Sequence, residues 1–276
     1  MARTLLNLRV MFSKILGLAL ISGLTAFANP IITGIYEAQP NDPATDTTLF
    51  DYRAIEFFTE DVITEQEFSK YFLRADYESF VPPFGAAPVQ LDMPFLEQGG
   101  APTDAAVAAN TFFYAVPLTA TAGPAPFFAF YTAAWAGNPR ISEPPVLAVV
   151  DPTNAGIAHE GDTKYTLMYD PNGDNDYTDA IAMDAFGEQT PFGNPTLYDN
   201  TFAYRKNNTG PDGDYDPNNW VIGAEGALGF NSGPAGSTAA QAAVIPFGTF
   251  TIPEPGTSSL VLFGALVMLS LKRRRA

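Results

Sequence analysis

One short stretch of the chain carries an oxygen-bearing side chain at nearly every second position. Its five members are Asp170, Asn172, Asp174, Asp176 and Asp179. Alternate spacing lets carboxylate and amide oxygens converge on one hard cation, as they do in a calcium-binding loop. The stretch departs from an EF-hand, because its sixth position is Asn175 instead of glycine and its twelfth is Ile181 instead of glutamate. We therefore predict these five side chains as a candidate calcium site.

A second cluster with the same alternation comes later in the chain. It consists of Asp212, Asp214 and Asp216, between Gly210 and Pro217. Alternating Asp and Asn also arises in turns, where the side chains accept hydrogen bonds from their own backbone. Two interpretations therefore stay open for both clusters, calcium binding or solvated turns. No cofactor is required by either, and calcium is the one cation that the spacing indicates.

Other chemistry has little support in the sequence. The chain has one histidine, His159, and no cysteine, so a thiolate nucleophile is excluded and a zinc site would rest on carboxylates. Glu37 and Glu56 lie on predicted strands and could supply a pair of catalytic carboxylates, but no motif sets the distance between them. We predict that the acids lie at the solvated surface and that no residue is catalytic.

The charge of the chain is unevenly distributed. Of 276 residues, 14 are Lys or Arg and 30 are Asp or Glu. Seven of the bases lie in the first 28 and the last five residues, which hold no acid, so the body between them carries 7 bases, 30 acids and a net charge of −23. A body of this sign repels phosphate backbones, so nucleic acid is excluded as a partner.

The first 28 residues have the three parts of a secretory signal peptide. Basic residues extend to Lys14, an apolar run follows from Ile15 to Leu24, and Ala26 and Ala28 form a small-x-small cleavage site. A buried N-terminal helix is the alternative, but this one would be apolar on every side. We predict a signal helix that is cleaved after Ala28, and therefore export.

The last 24 residues, 253–276, also have three ordered parts. Pro253, Glu254 and Pro255 precede an apolar run from Leu260 to Leu271, and a basic cluster follows that contains Lys272, Arg273, Arg274 and Arg275. The uncharged residues 256–271 would form a helix of about 24 Å, a minimal single transmembrane span. The basic cluster is expected to stay cytoplasmic, which puts the body on the far side of the membrane.

This order of motif, short apolar helix and terminal arginines resembles the PEP-CTERM sorting signal of Gram-negative bacteria. The resemblance covers about 24 residues at the C-terminus. It implies that an exosortase, a membrane transpeptidase, recognises the signal and cleaves near Pro-Glu-Pro. The precursor would be anchored in the inner membrane, and the mature form would lie at the cell surface or outside the cell. An ordinary C-terminal anchor is the alternative.

The body, residues 29–252, is predicted to be all-β. The whole chain has 24 prolines and 23 glycines, which disfavours long helices, and in the body short runs rich in β-branched and aromatic residues are separated by turn residues. The predicted strands are Ile31–Glu37, Tyr52–Phe58, Lys70–Arg74, Thr111–Leu118, Phe127–Trp135, Val146–Val150, Tyr165–Tyr169, Thr201–Arg205, Trp220–Ile222 and Ile245–Ile252.

Two stretches of the body have sequence patterns that do not predict strands. Thr64 and Glu67 fit a capping box for a short helix over Thr64–Tyr71. Residues 81–126 alternate Ala, Pro and Gly, which predicts an insertion of long loops.

The body also resembles lamin-tail-domain modules. Ile31–Glu37 and Tyr52–Phe58 are similar to their opening strands, and Thr201–Lys206 followed by Asn219 and Trp220 is similar to their closing strands. The resemblance implies an immunoglobulin-like β-sandwich. The body departs from the family in its length, nearly twice that of the usual module, and in Ala54, where an acidic or bulky residue is common. Such modules share no reaction and occur as adhesive or accessory domains.

These observations predict a non-enzymatic protein that is exported and sorted by an exosortase. Its β-sandwich would contribute adhesion or structure to the exopolysaccharide matrix of a biofilm. The expected partners are the exosortase, extracellular polysaccharide and, before processing, the membrane. Two alternatives stay open: a secreted, divalent-cation-dependent hydrolase of polysaccharide or nucleotides, and a calcium-binding adhesion module.

Overall fold

The structure is a computed structural model with side chains. It describes residues 29–38, 41–42, 47–48, 52–81, 85–95, 106–117, 138–150, 163–189, 201–224, 227–228 and 245–252. The predicted signal helix, the predicted transmembrane helix and the predicted strand Phe127–Trp135 lie outside these residues. Among the residues described, no helix is long and apolar enough to cross a membrane.

Two sheets form most of the structure, which confirms the all-β prediction. The larger sheet contains β1 (Ile31–Ala38), β4 (Tyr52–Thr59), β7 (Thr111–Pro117), β8 (Ile141–Val150), β11 (Phe202–Arg205) and β12 (Trp220–Ile222). Their order across the sheet is β12-β11-β1-β4-β7-β8. Only the pairing of β7 with β8 is parallel within this sheet.

The smaller sheet is antiparallel throughout. It contains β5 (Tyr71–Val81), β6 (Gly85–Pro94), β9 (Lys164–Tyr169) and β10 (Ile181–Phe186), in the order β10-β9-β5-β6. Two short strands, β2 (Asn41–Asp42) and β3 (Thr47–Thr48), pair with each other. The helix α1 (Glu65–Phe68) connects β4 to β5, and the Thr64 side chain accepts a hydrogen bond from the Glu67 N–H, as the capping motif predicts.

The main core lies between the two sheets. Successive side chains of a strand point to opposite faces, so Ile55 and Phe57 of β4 face the smaller sheet. The Phe57 ring stacks on Phe113 of β7 with centroids 4.9 Å apart. From the other side, Leu73 and Leu167 are buried in the same cluster. This core joins the sheets as a sandwich.

A second core covers the outer face of the larger sheet. Ala54 and Phe58 alternate with the inward residues of β4 and are buried here, together with residues from near the C-terminus. Those C-terminal residues belong to segment 245–252, which we call the strap. Its Ile245, Phe247 and Phe250 are buried. Both faces of the central strands are therefore apolar.

The predicted strand Ile245–Ile252 is wrong, because the strap contains no strand. Gly248 has φ +63°, and the Thr249 N–H bonds to the Pro246 carbonyl, so the chain turns in the middle of the segment. Its apolar residues cover the sheet without joining its ladder.

The predicted loop insertion over residues 81–126 needs a correction as well. Residues 85–94 form β6, which pairs with β5 over ten consecutive positions. Pro88 and Pro94 made this segment look like a loop, but β6 is an edge strand, where proline is tolerated. The strand β10 was not predicted either.

Candidate functional site

The first acidic cluster forms the loop between β9 and β10. Asp170 is 2% exposed. One of its carboxylate oxygens accepts hydrogen bonds from the N–H groups of Asn172 and Gly173 at 3.1 and 2.9 Å, and the other accepts one from Asn175 N–H at 3.0 Å. Gly173 and Asn175 both have positive φ, which glycine and asparagine tolerate best. The buried Asp170 carboxylate therefore stabilises the turn by accepting hydrogen bonds from its backbone N–H groups.

The other acids of this loop are exposed and bond locally. Asp174 accepts a hydrogen bond from the Asp176 N–H at 2.9 Å, and Asp176 caps the short helical turn Tyr177–Asp179 by accepting from Thr178 N–H. The hydrogen bonds from Thr178 lower the pKa of Asp176. Asn172 donates its side-chain amide to Asp179. The five predicted ligands thus lie on one loop, and each takes part in its hydrogen bonding.

The second cluster shows the same local bonding. The Asp214 carboxylate forms an ion pair with Lys164 at 2.9 Å, which lowers its pKa. Asp216 caps the helical turn Pro217–Asn219. Asp212 contributes its backbone N–H to another site described below. The three residues therefore have separate structural roles: Asp214 and Asp216 through their carboxylates and Asp212 through its backbone N–H.

Within the described part of the chain, no three acidic or histidine side chains are grouped so that they could hold a metal ion. In both clusters, acidic side chains accept hydrogen bonds from nearby backbone N–H groups, as the turn interpretation predicts. A carboxylate oxygen that accepts one N–H still has a second lone pair, so calcium binding stays a prediction of the sequence.

Calcium binding has a direct test in thermal stability. If the β9–β10 loop binds calcium in the native state only, saturating calcium should raise the melting temperature of the protein, and Asp174→Ala should abolish the rise. Glu65→Ala is the matched control, since Glu65 is exposed on α1 and belongs to neither cluster. Differential scanning calorimetry with and without calcium measures the effect. No rise in the parent protein would remove the prediction.

A buried glutamate lies under the strap. Glu56 of β4 is 1% exposed. Its Oε1 accepts a hydrogen bond from the Thr33 hydroxyl at 2.8 Å, and its Oε2 accepts from the Tyr114 hydroxyl and from Gly248 N–H, both at 2.9 Å. Strands β1, β4 and β7 and the strap thus meet at one carboxyl group. The group is closed off from solvent, so a substrate has no access to it.

The environment of Glu56 changes its acidity. Burial raises the pKa of Glu56 to about 7, although hydrogen bonds from Gly248, Thr33, Tyr114 and Tyr36 act in the opposite direction. Burial disfavours the charged form, whereas donors favour it. The same burial, together with the nearby carboxyl group, raises the pKa of Tyr114 well above its usual value. Glu56 therefore changes charge near neutral pH inside the second core.

A buried ion pair joins the two sheets. The guanidinium Nη2 of Arg205, on β11, donates to both carboxylate oxygens of Asp184, on β10, at 2.7 and 2.6 Å. The two side chains are 1% and 0% exposed. Arg205 also lies over the Trp220 ring, with its central carbon 4.7 Å from the ring centroid. The pair therefore links β10 of the smaller sheet to β11 and β12 of the larger one.

The ion pair also forms hydrogen bonds with the backbone of β1, at a residue outside the part of β1 that pairs with β11. That part covers Gly34 to Tyr36, and at Ile32 the N–H donates to Asp184 at 2.8 Å while the carbonyl accepts from Arg205 Nε at 2.7 Å. The registers of β1 and β10 shift beside this point, at Ile32/Gly34 and Ala182/Asp184. Such bulges re-aim side chains, so the irregular strands and the ion pair belong to one arrangement.

Desolvation dominates the electrostatics of this pair. Burial raises the pKa of Asp184 to about 6, opposed by Arg205 and by N–H groups that include those of Asp212 and Ile32. Burial also lowers the pKa of Arg205. Besides each other, Asp184 accepts from the N–H groups of Ile32 and Asp212, and Arg205 donates to the carbonyls of Ile32 and Gly210. The pair is a structural connection.

The prediction that the acids lie at the solvated surface is wrong for Glu56, Asp170 and Asp184, which are buried because donors within the fold bond their carboxylates. Sequence reasoning also missed the role of Arg205. The signal for Glu56 was present, since it alternates with Ala54 and Phe58 and so shares their buried face. His159 lies outside the described residues. So do the cleavage residues Ala26 and Ala28 and the sorting residues Pro253, Glu254, Pro255, Arg273, Arg274 and Arg275.

Comparisons of the chain with protein-family models, with curated proteins and with solved structures find no match. The resemblances to the PEP-CTERM signal and to lamin-tail modules therefore depend on the sequence residues that carry them.

Proposed function

We propose that this is an exported protein that an exosortase processes at Pro253-Glu254-Pro255. The observation that carries the proposal is the order of three features at the C-terminus: this motif, the apolar run Leu260–Leu271 and the basic cluster that ends at Arg275. The signal-peptide pattern over residues 1–28 requires the same topology, with the body outside the cytoplasm. Two independent segments of sequence thus support one location.

The mature body serves as a non-catalytic adhesive or structural module at the cell surface or in the exopolysaccharide matrix. Its buried ionisable groups support this role. Glu56, Asp184 and Arg205 are buried and bonded to partners within the fold, whereas a catalytic carboxylate must reach a substrate. The acids of the two surface loops likewise bond to nearby backbone and side chains.

The proposed architecture is an immunoglobulin-like sandwich of the lamin-tail type. Two sheets that pack face to face over an apolar core support it. Pairing of β1 with both β4 and β11 agrees with the resemblance, because those strands hold the three segments that carry it. The partner polymer is extracellular polysaccharide, reached through the exposed loops.

The intact mass of the mature chain tests this proposal. Removal of residues 1–28 and of the segment after Pro-Glu-Pro would each change the mass by a known amount. A host strain that lacks the sorting enzyme is the control, because it should retain the C-terminal segment.

A further inference from the structure

The strap is attached to the body by side-chain packing. Phe247 lies 4.3 Å from Tyr36 and 5.7 Å from Tyr114, measured between ring centroids. Phe250 lies 6.0 Å from Phe58. These contacts bury the outer face of β1, β4 and β7, which would otherwise expose aromatic rings to water.

The backbone of the strap is also bonded to the body along most of its length. Gly248 N–H donates to the buried Glu56 carboxyl group, and the Phe250 carbonyl accepts from Arg140 at 2.5 Å. Closer to the end, Thr251 N–H donates to the Asn207 side chain at 2.9 Å, and its carbonyl accepts from Asn208 N–H at 2.8 Å. These bonds hold the main chain up to the penultimate residue of the strap.

Gly248 fits this position for two separate reasons. Its φ of +63° belongs to the left-handed region. A Cβ atom there would also lie 2.5 Å from the side-chain nitrogen of Asn138 and 2.9 Å from Ile141. Any larger residue would therefore push the strap away from the sheet.

The strap is immediately followed by the sorting motif. Ile252 is its last residue and Pro253 begins Pro-Glu-Pro. Pro253 is two residues after Thr251, so at most about 7 Å of extended chain separates the motif from the bonds at Thr251. An enzyme that binds an extended peptide uses the backbone groups and alternate side chains of several neighbouring residues. In the strap, residues of the body already form hydrogen bonds with several of these backbone groups and pack against its side chains.

We propose that the strap is a latch that controls processing: while residues 245–252 are docked on the larger sheet, their backbone is withheld from the enzyme that cleaves near Pro253-Glu254-Pro255, and detachment of the strap makes that backbone available to the enzyme. This inference rests on the proposed function, since it concerns the same cleavage segment. It adds that the folded body regulates its own release. Exosortase and sheet compete for one stretch of backbone.

Gly248→Ala in the full chain tests the latch. The substitution should increase strap detachment about tenfold, because a non-glycine residue is disfavoured in the left-handed region. Hydrogen exchange of residues 247–251 measures detachment, and pulse-labelling in a host with the sorting enzyme measures the rate at which the C-terminal segment is lost. Both rates should rise together. Gly210→Ala is the matched control, since a Cβ atom at Gly210 meets nothing within 4 Å.

Asn207→Ala provides a milder second variant, because Asn207 is exposed and holds the strap only through Thr251 N–H. It should accelerate both rates by a smaller factor without affecting the core. Faster exchange of the strap with unchanged processing in both variants would overturn the latch. A parent chain that is never processed in the host would instead overturn the proposed function, and the latch with it.

Discussion

Replacing Arg205 with methionine should lower the free energy of unfolding by about 3–5 kcal/mol, the range for removing one partner of a buried ion pair. The Asp184 carboxylate would remain in a site that is 0% exposed, with backbone N–H groups as its only donors. The carbonyls of Ile32 and Gly210 would each lose a donor as well. Urea unfolding followed by tryptophan fluorescence measures the change.

Lys206→Met is the matched control for this substitution. Lys206 is the next residue and is exposed, with one exposed hydrogen bond to the Asn218 carbonyl, so replacing this basic side chain with methionine should alter stability by no more than about 0.5 kcal/mol. The double variant Asp184→Leu, Arg205→Met should recover part of the loss, because it leaves no buried charge. Equal stabilities for Arg205→Met and Lys206→Met would show that the pair does not stabilise the fold.

Glu56 should make the protein less stable as the pH rises from about 4.5 to about 7. Its pKa is about 7 in the folded protein against a model value of 4.5, so between these values the native state holds a proton that the unfolded chain has lost. Unfolding releases that proton, and the free energy of unfolding therefore falls as the pH rises, by about 3 kcal/mol in total. The stabilisation is complete below pH 4.5 and is lost above pH 7.

Unfolding of the parent and of Glu56→Gln at pH 5 and pH 8 isolates this effect. The amide does not titrate, so the loss of stability between the two pH values should be smaller in the variant by most of that amount. Glu60→Gln controls for the chemistry of the change, since Glu60 is exposed at the end of β4. Identical pH profiles for the parent and Glu56→Gln would contradict the assigned environment.

The strands rich in β-branched and aromatic residues could be predicted from sequence. The run from Tyr52 to Phe58 places apolar side chains on both faces, and the structure buries both, one against the smaller sheet and one under the strap. Trp220–Ile222 agrees with β12 at both ends. In these segments local pattern and tertiary environment agree, so the pattern was sufficient.

Prediction failed where tertiary context overrides the local pattern. β6 contains Pro88 and Pro94 and can be a strand only because it lies at an edge. β10 contains the buried Asp184, whose cost is offset by an arginine on another strand. The strap is as apolar as a strand, but its glycine turns the chain. For β10 and the strap, the deciding partners, Arg205 and Glu56, lie on other strands.

Part of the candidate site could be predicted from the sequence, and part of it could not. Asx-rich turns at Asp176 and Asp216 follow from local chemistry, and both cap helical turns as such residues do. The ion pair Asp184–Arg205 requires two bulges and two sheets to come together. No spacing rule encodes that arrangement, because strand register is a property of the whole sandwich.

The central claim is that the chain is exported and then sorted through its C-terminal signal, and the mass of the mature protein tests it most directly. Intact-mass spectrometry of protein purified from its native host should give a chain that begins at Asn29 and ends near Pro253. The same host without the sorting enzyme should give a chain that begins at Asn29 and extends to Ala276. A chain that retains its C-terminus through Ala276 in both hosts would contradict sorting and leave an ordinary membrane anchor.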